Sequence, residues 1–374
     1  MPLRALARVN LAAIERNVEA LRSRLSAGTE LCAVVKADGY GHGAAPSARA
    51  ALAGGAGWLA VATANEAAEL RAAGLEAPVL VLGALSSDEL PVALAARADV
   101  VAWSEPFVAA LATATGAGDP VRVHVKLDTG MGRLGTRSQP EAIRVAEAIA
   151  GSDAVSLVGA MTHFATADGD RSFVREQLER FIPFAEEMRR AHSGILIHAA
   201  NSAATLLEPA SHFDLVRTGV AIYGCDPMNE DPSDYGLEPA LELSTYVAAV
   251  KRTEPGESAG YGRRFVAERE TFIGTLPIGY GDGVRRAFTN NCDVLVGGRR
   301  YPLVGAVSMD NITIDLGPEP SAAVGERATI IGAAGASRQT AEALARRIDT
   351  LNYEITCGVS ARVPRQYHRD GAPA

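Results

Sequence analysis

The sequence has few aromatic residues, few cysteines and no long uninterrupted apolar segment. Aromatic residues make up only 5 % of the chain, so we expect a core built mainly from Ala, Val and Leu. The four cysteines lie far apart and form no Cys-x-x-Cys pair, which argues against a zinc site or a disulfide framework. Without a long apolar segment we expect neither a signal peptide nor a membrane span, and we predict a cytoplasmic protein with reduced thiols.

An excess of basic residues is also absent. The formal net charge is −8, whereas proteins that bind nucleic acids normally carry a basic face. The same negative charge disfavours binding to an anionic membrane surface. We therefore predict a protein that acts on a small molecule, with no nucleic acid and no membrane among its partners.

Short apolar segments alternate with helical patterns in the first part of the chain. Eight βα units between residues 10 and 224 favour a (β/α)8 barrel of the TIM type. An open doubly wound sheet is the alternative, but no Gly-x-Gly-x-x-Gly turn follows the first strand to favour it. The strand candidates are residues 31–37, 58–63, 78–83, 99–103, 121–127, 155–164, 195–201 and 213–220, with helices predicted, for example, at 65–73 and 173–191.

The amino-acid composition changes after Gly224. Residues 226–239 are rich in Pro, Asp and Gly, which is typical of a linker. We predict a barrel domain over residues 10–230 and a smaller, mainly β domain over 240–374, with residues 1–9 as a candidate extra strand of the second domain. Its predicted elements are strands at 243–250, 271–276, 294–296, 312–316 and 328–331, a hairpin turn at Gly297-Gly298 and a helix at 339–348.

Lys36 follows a buried apolar strand, at the end where (β/α)8 barrels place their active sites. Partial desolvation there favours the neutral amine that condensation with an aldehyde requires. A lysine whose stem lies along apolar surface while its ammonium group reaches solvent gives the same pattern. The lysine alone does not separate these two interpretations.

The loops after the seventh and eighth predicted strands have features of a phosphate site. Barrels often bind phosphate at these loops, and they contain Ser202 and Gly219 here. The serine offers a hydroxyl group, and the glycine allows backbone N–H groups to approach an anion closely. Asn201-Ser202 before a helix is equally typical of an N-cap. Together the two loops favour a phosphorylated ligand placed opposite Lys36.

Nine segments resemble the alanine racemase family, in the family's order and over nearly the whole chain. The resemblance implies a pyridoxal-phosphate-dependent isomerase that interconverts L-alanine and D-alanine and supplies D-alanine for peptidoglycan. It also implies a two-base mechanism on a pyridoxal-phosphate aldimine, with Lys36 as the aldimine lysine and one base, and Tyr261 as the other. The segments are residues 35–43, 126–133, 162–168, 201–203, 216–219, 260–262, 277–283, 308–310 and 353–355.

The resemblance assigns the remaining contacts of the site. Arg217 would face the pyridine nitrogen, with His163 linking it toward Tyr261; direct binding of phosphate by a loop arginine is the alternative. Arg133 and the Met309 backbone would position the substrate carboxylate. The residues implied to bind the phosphate are Tyr40, Ser202, Gly219, Val220 and Tyr353.

Further residues are implied to support the site. Lys126 matches a lysine that is often carbamylated, and the anionic carbamate would orient Arg133. An unmodified Lys126 near Arg133 would instead create a conflict between like charges. Tyr280 and Asp310 lie in matching segments beside the site, and no metal ligand is expected. The family works as a homodimer, so Tyr261 and Met309 are expected to reach the partner subunit's barrel.

Some residues of the chain depart from the family pattern or are discounted as site residues. Ser308 stands where the family frequently has cysteine, and Asp38 where it frequently has asparagine. These two departures put kinetic tuning and inhibitor sensitivity in question more than the reaction itself. We interpret His42 and His124 as structural residues, and Glu66, like Glu69, as part of a solvated helix face.

Three other functions fit parts of the sequence pattern described above. A decarboxylase of basic amino acids shares the barrel and β domain, but lacks the tyrosine of Gly260-Tyr261-Gly262 and usually carries a cysteine there. A non-catalytic protein that carries pyridoxal phosphate lacks a second domain. A racemase of serine or another amino acid differs from an alanine racemase only in side-chain packing near Tyr261, Tyr280 and Met309.

Overall fold

The computed structural model describes residues 3–116 and 119–374 and divides into two compact units. The first unit consists of Ile14–Gly39 and Ala44–Ile222. The second consists of residues 3–13, the short loop Tyr40–Gly43 and Tyr223–Ala374. Strand β1, Leu6–Asn10, therefore belongs to the second unit although it precedes the first in sequence.

The first unit is a closed barrel of eight parallel strands, which confirms the predicted (β/α)8 fold. Each strand pairs with the next, and β2 closes the circle by pairing with β9. Most strand residues are buried on both faces, as expected of parallel strands covered by helices. The strands are β2 Glu30–Val34, β3 Trp58–Val61, β4 Val79–Val81, β5 Asp99–Ala102, β6 Val121–Lys126, β7 Val155–Met161, β8 Leu196–His198 and β9 Leu215–Thr218.

Helices connect the barrel strands, and several begin at local sequence signals. Thr63 and Ser138 cap their helices by accepting a backbone N–H with the side-chain hydroxyl. Proline occupies the first turn of the helices that begin at Leu90, Glu105 and Gln139. The helices are Leu11–Arg22, Ala44–Ala53, Ala64–Ala72, Leu90–Ala95, Glu105–Thr115, Gln139–Ala150, Arg171–Ala191 and Ser202–Leu207.

The second unit is built mainly from β strands, as predicted. Its largest sheet has the order β16-β15-β18-β10-β1-β20-β21, with β19 paired to β18; β11-β14-β17 form a second sheet and β12-β13 a ribbon. The strands are β10 Leu241–Tyr246, β11 Ala249–Thr253, β12 Ser258–Ala259, β13 Phe265–Val266, β14 Thr271–Leu276, β15 Asp293–Val296, β16 Arg299–Pro302, β17 Ile312–Asp315, β18 Arg327–Ala334, β19 Ser337–Gln339, β20 Arg365–Arg369 and β21 Ala372–Pro373. Its α-helices are Ala341–Arg347 and Asn352–Cys357. Among the described residues of both units, 3-10 turns are Pro209–Ser211, Val220–Tyr223, Pro232–Tyr235, Tyr261–Arg263 and Arg286–Phe288.

The strand predicted at residues 243–250 is wrong as a single element. The chain leaves the large sheet after Tyr246 and enters the three-stranded sheet at Ala249. The hairpin predicted at Gly297-Gly298 is confirmed, because Val296 pairs with Arg299 across these two residues. Both glycines have positive φ, which suits a tight hairpin turn.

Candidate active site

The parallel barrel brings several predicted site residues to one rim. Lys36 comes two residues after β2, and Lys126 is the last residue of β6. His163 follows β7 by two residues, and Ser202 opens the helix after β8. Arg217 lies within β9 rather than in a loop. The carboxyl ends of parallel barrel strands share one face, which is where barrel enzymes place their active sites.

The chain adopts a left-handed helical turn directly after Lys36. The φ angles of Ala37, Asp38, Gly39 and Tyr40 are 52°, 51°, 62° and 53°. For residues that carry a Cβ this conformation costs about 1–2 kcal/mol each. Backbone strain of this kind persists only where the surrounding structure enforces it, and it concentrates at functional sites.

Glu66 holds this turn, so our interpretation of Glu66 as part of a solvated face is wrong. Its Oε1 accepts a hydrogen bond from the backbone N–H of Ala37 at 2.6 Å. Its Oε2 accepts from the N–H groups of Ala62 at 2.7 Å and Thr63 at 3.2 Å, which completes a capping box with Thr63. One carboxylate therefore joins the strained turn to the start of the next helix.

Arg217 is a buried guanidinium that contacts neutral acceptors. Its Nη2 donates to the carbonyl oxygens of Thr162 at 2.8 Å and Ala199 at 3.0 Å, and lies 3.3 Å from His163 Nδ1. Its Nη1 lies 2.8 Å from His198 Nδ1. Burial lowers the pKa of Arg217 to about 10, which leaves the group protonated near neutral pH. Within the described residues, none of its hydrogen-bond partners is a carboxylate.

Positive charge accumulates around His163. Desolvation lowers the pKa of His163 well below its ordinary value, and Arg217, Lys126, Arg133 and Lys36 lower it further. His163 is therefore neutral near pH 7. Four cationic side chains that act on one imidazole create a strongly positive field, which an anionic ligand would offset.

Lys126 lies close to the positive charges of Arg217 and Arg133, as expected for an unmodified lysine at this position. It is buried, and burial, Arg217 and Arg133 lower its pKa to about 8, while Asp128 acts in the opposite direction. The Asp128 carboxylate already accepts hydrogen bonds from backbone N–H groups, including that of Gly132 at 3.0 Å. A large neutral fraction of the Lys126 amine is therefore present at mildly alkaline pH.

The two predicted phosphate loops meet at Ser202. Its Oγ accepts hydrogen bonds from the backbone N–H of Gly219 at 2.9 Å and, at 3.5 Å, of Ala221. Asn201 caps the helix with its side chain, so the capping interpretation applies to Asn201 rather than to Ser202. Val220 is buried and begins a 3-10 turn. The structure thus brings the serine hydroxyl and the glycine backbone together.

Tyr40 and Tyr353 lie together in the second unit. Their ring centroids are 6.0 Å apart, and Tyr40 also packs 5.2 Å from the ring of Tyr223. His42 stacks on Tyr223 with its centroid 4.4 Å away, which is consistent with the structural role predicted for it. The loop after β2 therefore continues into an aromatic cluster of the second unit.

Tyr261, Tyr280 and Met309 are exposed on the second unit, with 76 %, 44 % and 51 % of their surface accessible. Tyr261 opens a short turn between Gly260 and Gly262, whose φ angles are 76° and 69°. The Tyr280 and Met309 loops are adjacent, because the Tyr280 N–H donates to the carbonyl of Ser308. Large exposed apolar side chains of this kind often mark a surface that a partner covers.

Sequence reasoning missed Arg362, which organises these loops. Its Nε donates to the buried Asp282 at 2.8 Å, and its Nη2 donates to the Met309 carbonyl at 3.2 Å and to Asp310 at 2.9 Å. Arg4 donates to both carboxylate oxygens of Asp282. The partners are far apart in sequence, so no local motif indicates this network.

Neither a metal site nor a membrane helix is found in the part of the chain that the structure describes. No group of three or more His, Cys, Asp or Glu side chains in it is arranged to hold a metal ion. No helix in it combines the length and apolar character that crossing a bilayer requires.

Both units match models of domains from one protein family. Residues 9–227 match the family model for the N-terminal domain of alanine racemase, and residues 240–367 match that for its C-terminal domain. The curated alanine racemase of Symbiobacterium thermophilum is 42 % identical over 365 residues, covering 96 % of each chain. The alanine racemase structure from Streptomyces lavendulae has a TM-score of 0.93 at 37 % identity, covering 98 % of both chains. That from Bacillus anthracis with bound L-Ala-P has a TM-score of 0.93 at 35 % identity, covering 100 % of this chain and 97 % of the other.

Proposed function

We infer that this chain, which belongs to the alanine racemase family, interconverts L-alanine and D-alanine with pyridoxal phosphate as cofactor. The observation that carries this proposal is the match of both family models, in order, over nearly the whole chain. Supply of D-alanine for peptidoglycan and a cytoplasmic location belong to the same proposal and rest on the resemblance. We also propose that residues 10–230 form the barrel domain and residues 240–374 the mainly β domain.

The residues at the barrel rim have the chemistry that pyridoxal phosphate requires. The rim carries the amine of Lys36 beside a cationic cluster in which Arg217 has no carboxylate partner among the described residues. It also offers a serine hydroxyl next to backbone N–H groups at Ser202 and Gly219. An aldehyde, a phosphate and a substrate carboxylate would find matching groups here. When bound, the cofactor supplies an aldehyde for covalent attachment and a ring that delocalises the electrons left when the alanine Cα–H bond breaks.

We assign the binding roles by residue. Lys36 Nζ would hold the cofactor covalently, and Arg217 would donate to its ring nitrogen. Arg133 and the Met309 backbone would orient the substrate carboxylate, and Lys126, once carbamylated, would orient Arg133. His163, next to Arg217, would extend the hydrogen-bond network toward Tyr261. The phosphate would be bound by Tyr40, Ser202, Gly219, Val220 and Tyr353.

Inversion at Cα needs a proton removed from one face and another returned to the opposite face. Lys36 Nζ would serve one face and Tyr261 Oη the other, because a single base would have to move between faces. Arg217 remains charged and does not give up its proton. It therefore limits how far negative charge spreads away from Cα, which favours quick return of a proton over competing reactions.

A homodimer with shared sites completes the proposal. The high exposure of Tyr261, Tyr280 and Met309 supports a surface that a second copy of the chain covers. In this arrangement Tyr261 and Met309 serve the partner's barrel, and Tyr280 and Asp310 support them. Isologous dimers of this kind carry two equivalent sites.

Labelling tests the cofactor assignment sharply, because the chain contains only three lysines, at positions 36, 126 and 251. We expect borohydride reduction to fix the mass of the cofactor on the Lys36 peptide alone, as read by mass spectrometry. Lys36→Ala should lose covalent cofactor and racemisation, whereas Lys251→Ala, at an exposed position of β11, should keep both.

The assay should follow D-alanine formed from L-alanine and carbon dioxide released from basic amino acids. Cofactor mass on Lys126 or Lys251 would contradict the assignment of Lys36. Carbon dioxide release without D-alanine would contradict the proposed activity.

A further inference from the structure

Four buried polar side chains form a continuous hydrogen-bonded chain within the barrel unit. Asp99 begins β5, His124 lies on β6, His198 ends β8 and Arg217 lies on β9. Their exposures are 2 %, 0 %, 0 % and 3 %. Asp99 Oδ2 lies 3.2 Å from His124 Nε2, His124 Nδ1 lies 2.9 Å from His198 Nε2, and His198 Nδ1 lies 2.8 Å from Arg217 Nη1.

Gly159 creates the space that this chain needs. It lies on β7, between the strands that carry the two histidines, and is paired with His124. A Cβ atom at residue 159 would lie 2.0 Å from His124 Nδ1. The ladder between β6 and β7 also shifts register just before His124. The missing side chain thus lets the two imidazoles meet across β7.

The chemistry of the two ends fixes the direction of every hydrogen bond. Arg217 only donates, so His198 Nδ1 accepts and the His198 proton resides on Nε2. His198 Nε2 then donates to His124 Nδ1, which leaves the His124 proton on Nε2, facing Asp99. An ionised carboxylate only accepts, so both ends impose the same direction. Each histidine is neutral in this arrangement.

Two further observations support this direction. Burial, and then Arg217, lower the pKa of His198 well below its ordinary value, which keeps its imidazole neutral. At the other end, Arg122 Nε donates to both Asp99 oxygens at 3.1 Å and 3.0 Å, and its guanidinium packs over the Trp58 ring. Asp99 is therefore held as an acceptor by a cation that lies outside the chain.

We propose that Asp99, His124 and His198 are positioning residues that set the tautomer of His198, and thereby hold the Arg217 guanidinium in one orientation for the reaction. This inference rests on the proposed function for the role of Arg217, but the tautomers themselves are a property of the protein alone. Asp99 acts from the far end by fixing which nitrogen of each imidazole carries the proton, as second partners of a histidine do generally.

The decisive variant is Asp99→Asn, which keeps the size of the side chain. Its oxygen can still accept from Arg122, and its NH₂ group can donate to His124 Nε2. The amide at residue 99 and the guanidinium of Arg217 then impose opposite directions, because a reversed chain presents an N–H of His198 to Arg217, which is also a donor. We expect long-range ¹H–¹⁵N NMR of histidine-labelled protein to show both imidazoles protonated at Nε2 in the wild type. In Asp99→Asn we expect a new population of His198 protonated at Nδ1, because the two ends no longer impose the same direction.

Kinetics should report the same change. We expect kcat of Asp99→Asn to fall about ten-fold or more while KM changes little, because substrate contacts are untouched. His198→Gln should retain most activity, since its amide oxygen can accept from Arg217 and its NH₂ group can donate to His124. His198→Leu should not. His212→Asn is the matched control, because the His212 side chain is also buried but bonds, among the described residues, to Ser26 and the Thr205 carbonyl.

Three results would overturn the proposal. These are an Nδ1-protonated or doubly protonated His198 in the wild type, unchanged tautomers and kcat in Asp99→Asn, and an equal loss in His212→Asn. If Asp99→Asn does not fold, the wild-type spectrum and the two His198 variants still decide. Failure of the wild type to racemise alanine would refute the proposed function instead, and would leave the NMR result standing.

Discussion

Lys126 shows how a single buried residue acquires reactivity from its neighbours. Its amine is desolvated and lies in the field of Arg217 and Arg133, so its pKa falls to about 8. A neutral amine can add to CO₂: a new N–C bond forms, one N–H proton goes to solvent, and the product is an anionic carbamate. That anion would replace the like-charge conflict by attraction to both guanidinium groups.

We predict that Lys126 binds CO₂ reversibly and more fully as pH rises. With a pKa of about 8, its neutral fraction grows roughly five-fold between pH 7 and pH 8. At fixed dissolved CO₂, the carbamate signal in ¹³C NMR after addition of ¹³C-bicarbonate should rise over this interval. Lys126→Ala should abolish the signal and Lys251→Ala should keep it. No carbamate at pH 8.5, or a signal that disappears with Lys251, would refute the prediction.

The sequence predicted which residue types form the site but not how side chains connect between strands. Lys36, Lys126 and Arg217 are proposed as site residues because each lies in a segment that resembles the family. The bonding role of His124 was not found, because its partners Asp99 and His198 lie on other strands. A spacing along one strand carries no information about the register with the next, so such contacts are invisible in the sequence.

The left-handed turn after Lys36 is the clearest case at the scale of a secondary-structure element. Ala37 gives no indication of positive φ, because residues with a Cβ rarely adopt it, and Asp38 favours it only weakly. A local hydrogen bond from the Gly39 N–H to the Val35 carbonyl at 2.9 Å closes the turn, and the long-range hydrogen bond from the Ala37 N–H to Glu66 holds it. Glu66 was misinterpreted because its helix periodicity alone gave it a solvent-facing position.

We predict that Glu66→Ala lowers the free energy of unfolding by about 1–2 kcal/mol, since it removes a helix cap and leaves strained backbone N–H groups without an acceptor. Glu69→Ala, exposed on the same helix, should change it by less than about 0.5 kcal/mol. Urea unfolding measures both, and amide hydrogen exchange at Ala37 should accelerate only in Glu66→Ala. Equal losses in the two variants would show that Glu66 stabilises the helix no more than its neighbour does.

The strands of the barrel were predictable because each is a short apolar segment between turn signals. Strand β20 was missed because Arg365–Arg369 contains no apolar alternation. It forms nevertheless, because parallel pairing with β1 satisfies its backbone: Ala7 pairs with Arg365 and Val9 with Tyr367. Long-range pairing, rather than local propensity, creates this strand.

At the scale of the whole molecule, the proposed dimer makes a quantitative prediction. If each site combines Lys36 of one subunit with Tyr261 of the other, Lys36→Ala and Tyr261→Phe should each be inactive or nearly so alone. Subunits mixed by reversible unfolding should form hybrid dimers with one intact site. Random assortment of equal amounts would restore about a quarter of the wild-type activity.

The control for this experiment is a mixture of Lys36→Ala with Lys36→Ala/Tyr261→Phe, which contains no intact pair in any dimer. Recovery in the control mixture, or none in the test mixture despite hybrid dimers seen by native mass spectrometry, would exclude a shared site. Sedimentation of the wild type supplies the third readout, because a fully active monomer is incompatible with shared sites.

The placement of β1 also bears on how the polypeptide reaches its native state on the ribosome. The strand Leu6–Asn10 is synthesised early, yet it lies between β10 and β20, which emerge more than 200 residues later. Residues 14–222 can complete their own contacts while translation continues, whereas the early strand has no partner until β10 emerges. Nascent chains truncated before residue 241 should therefore contain a protease-resistant barrel with an exposed, unpaired leading strand, which is the species that chaperones would need to shield.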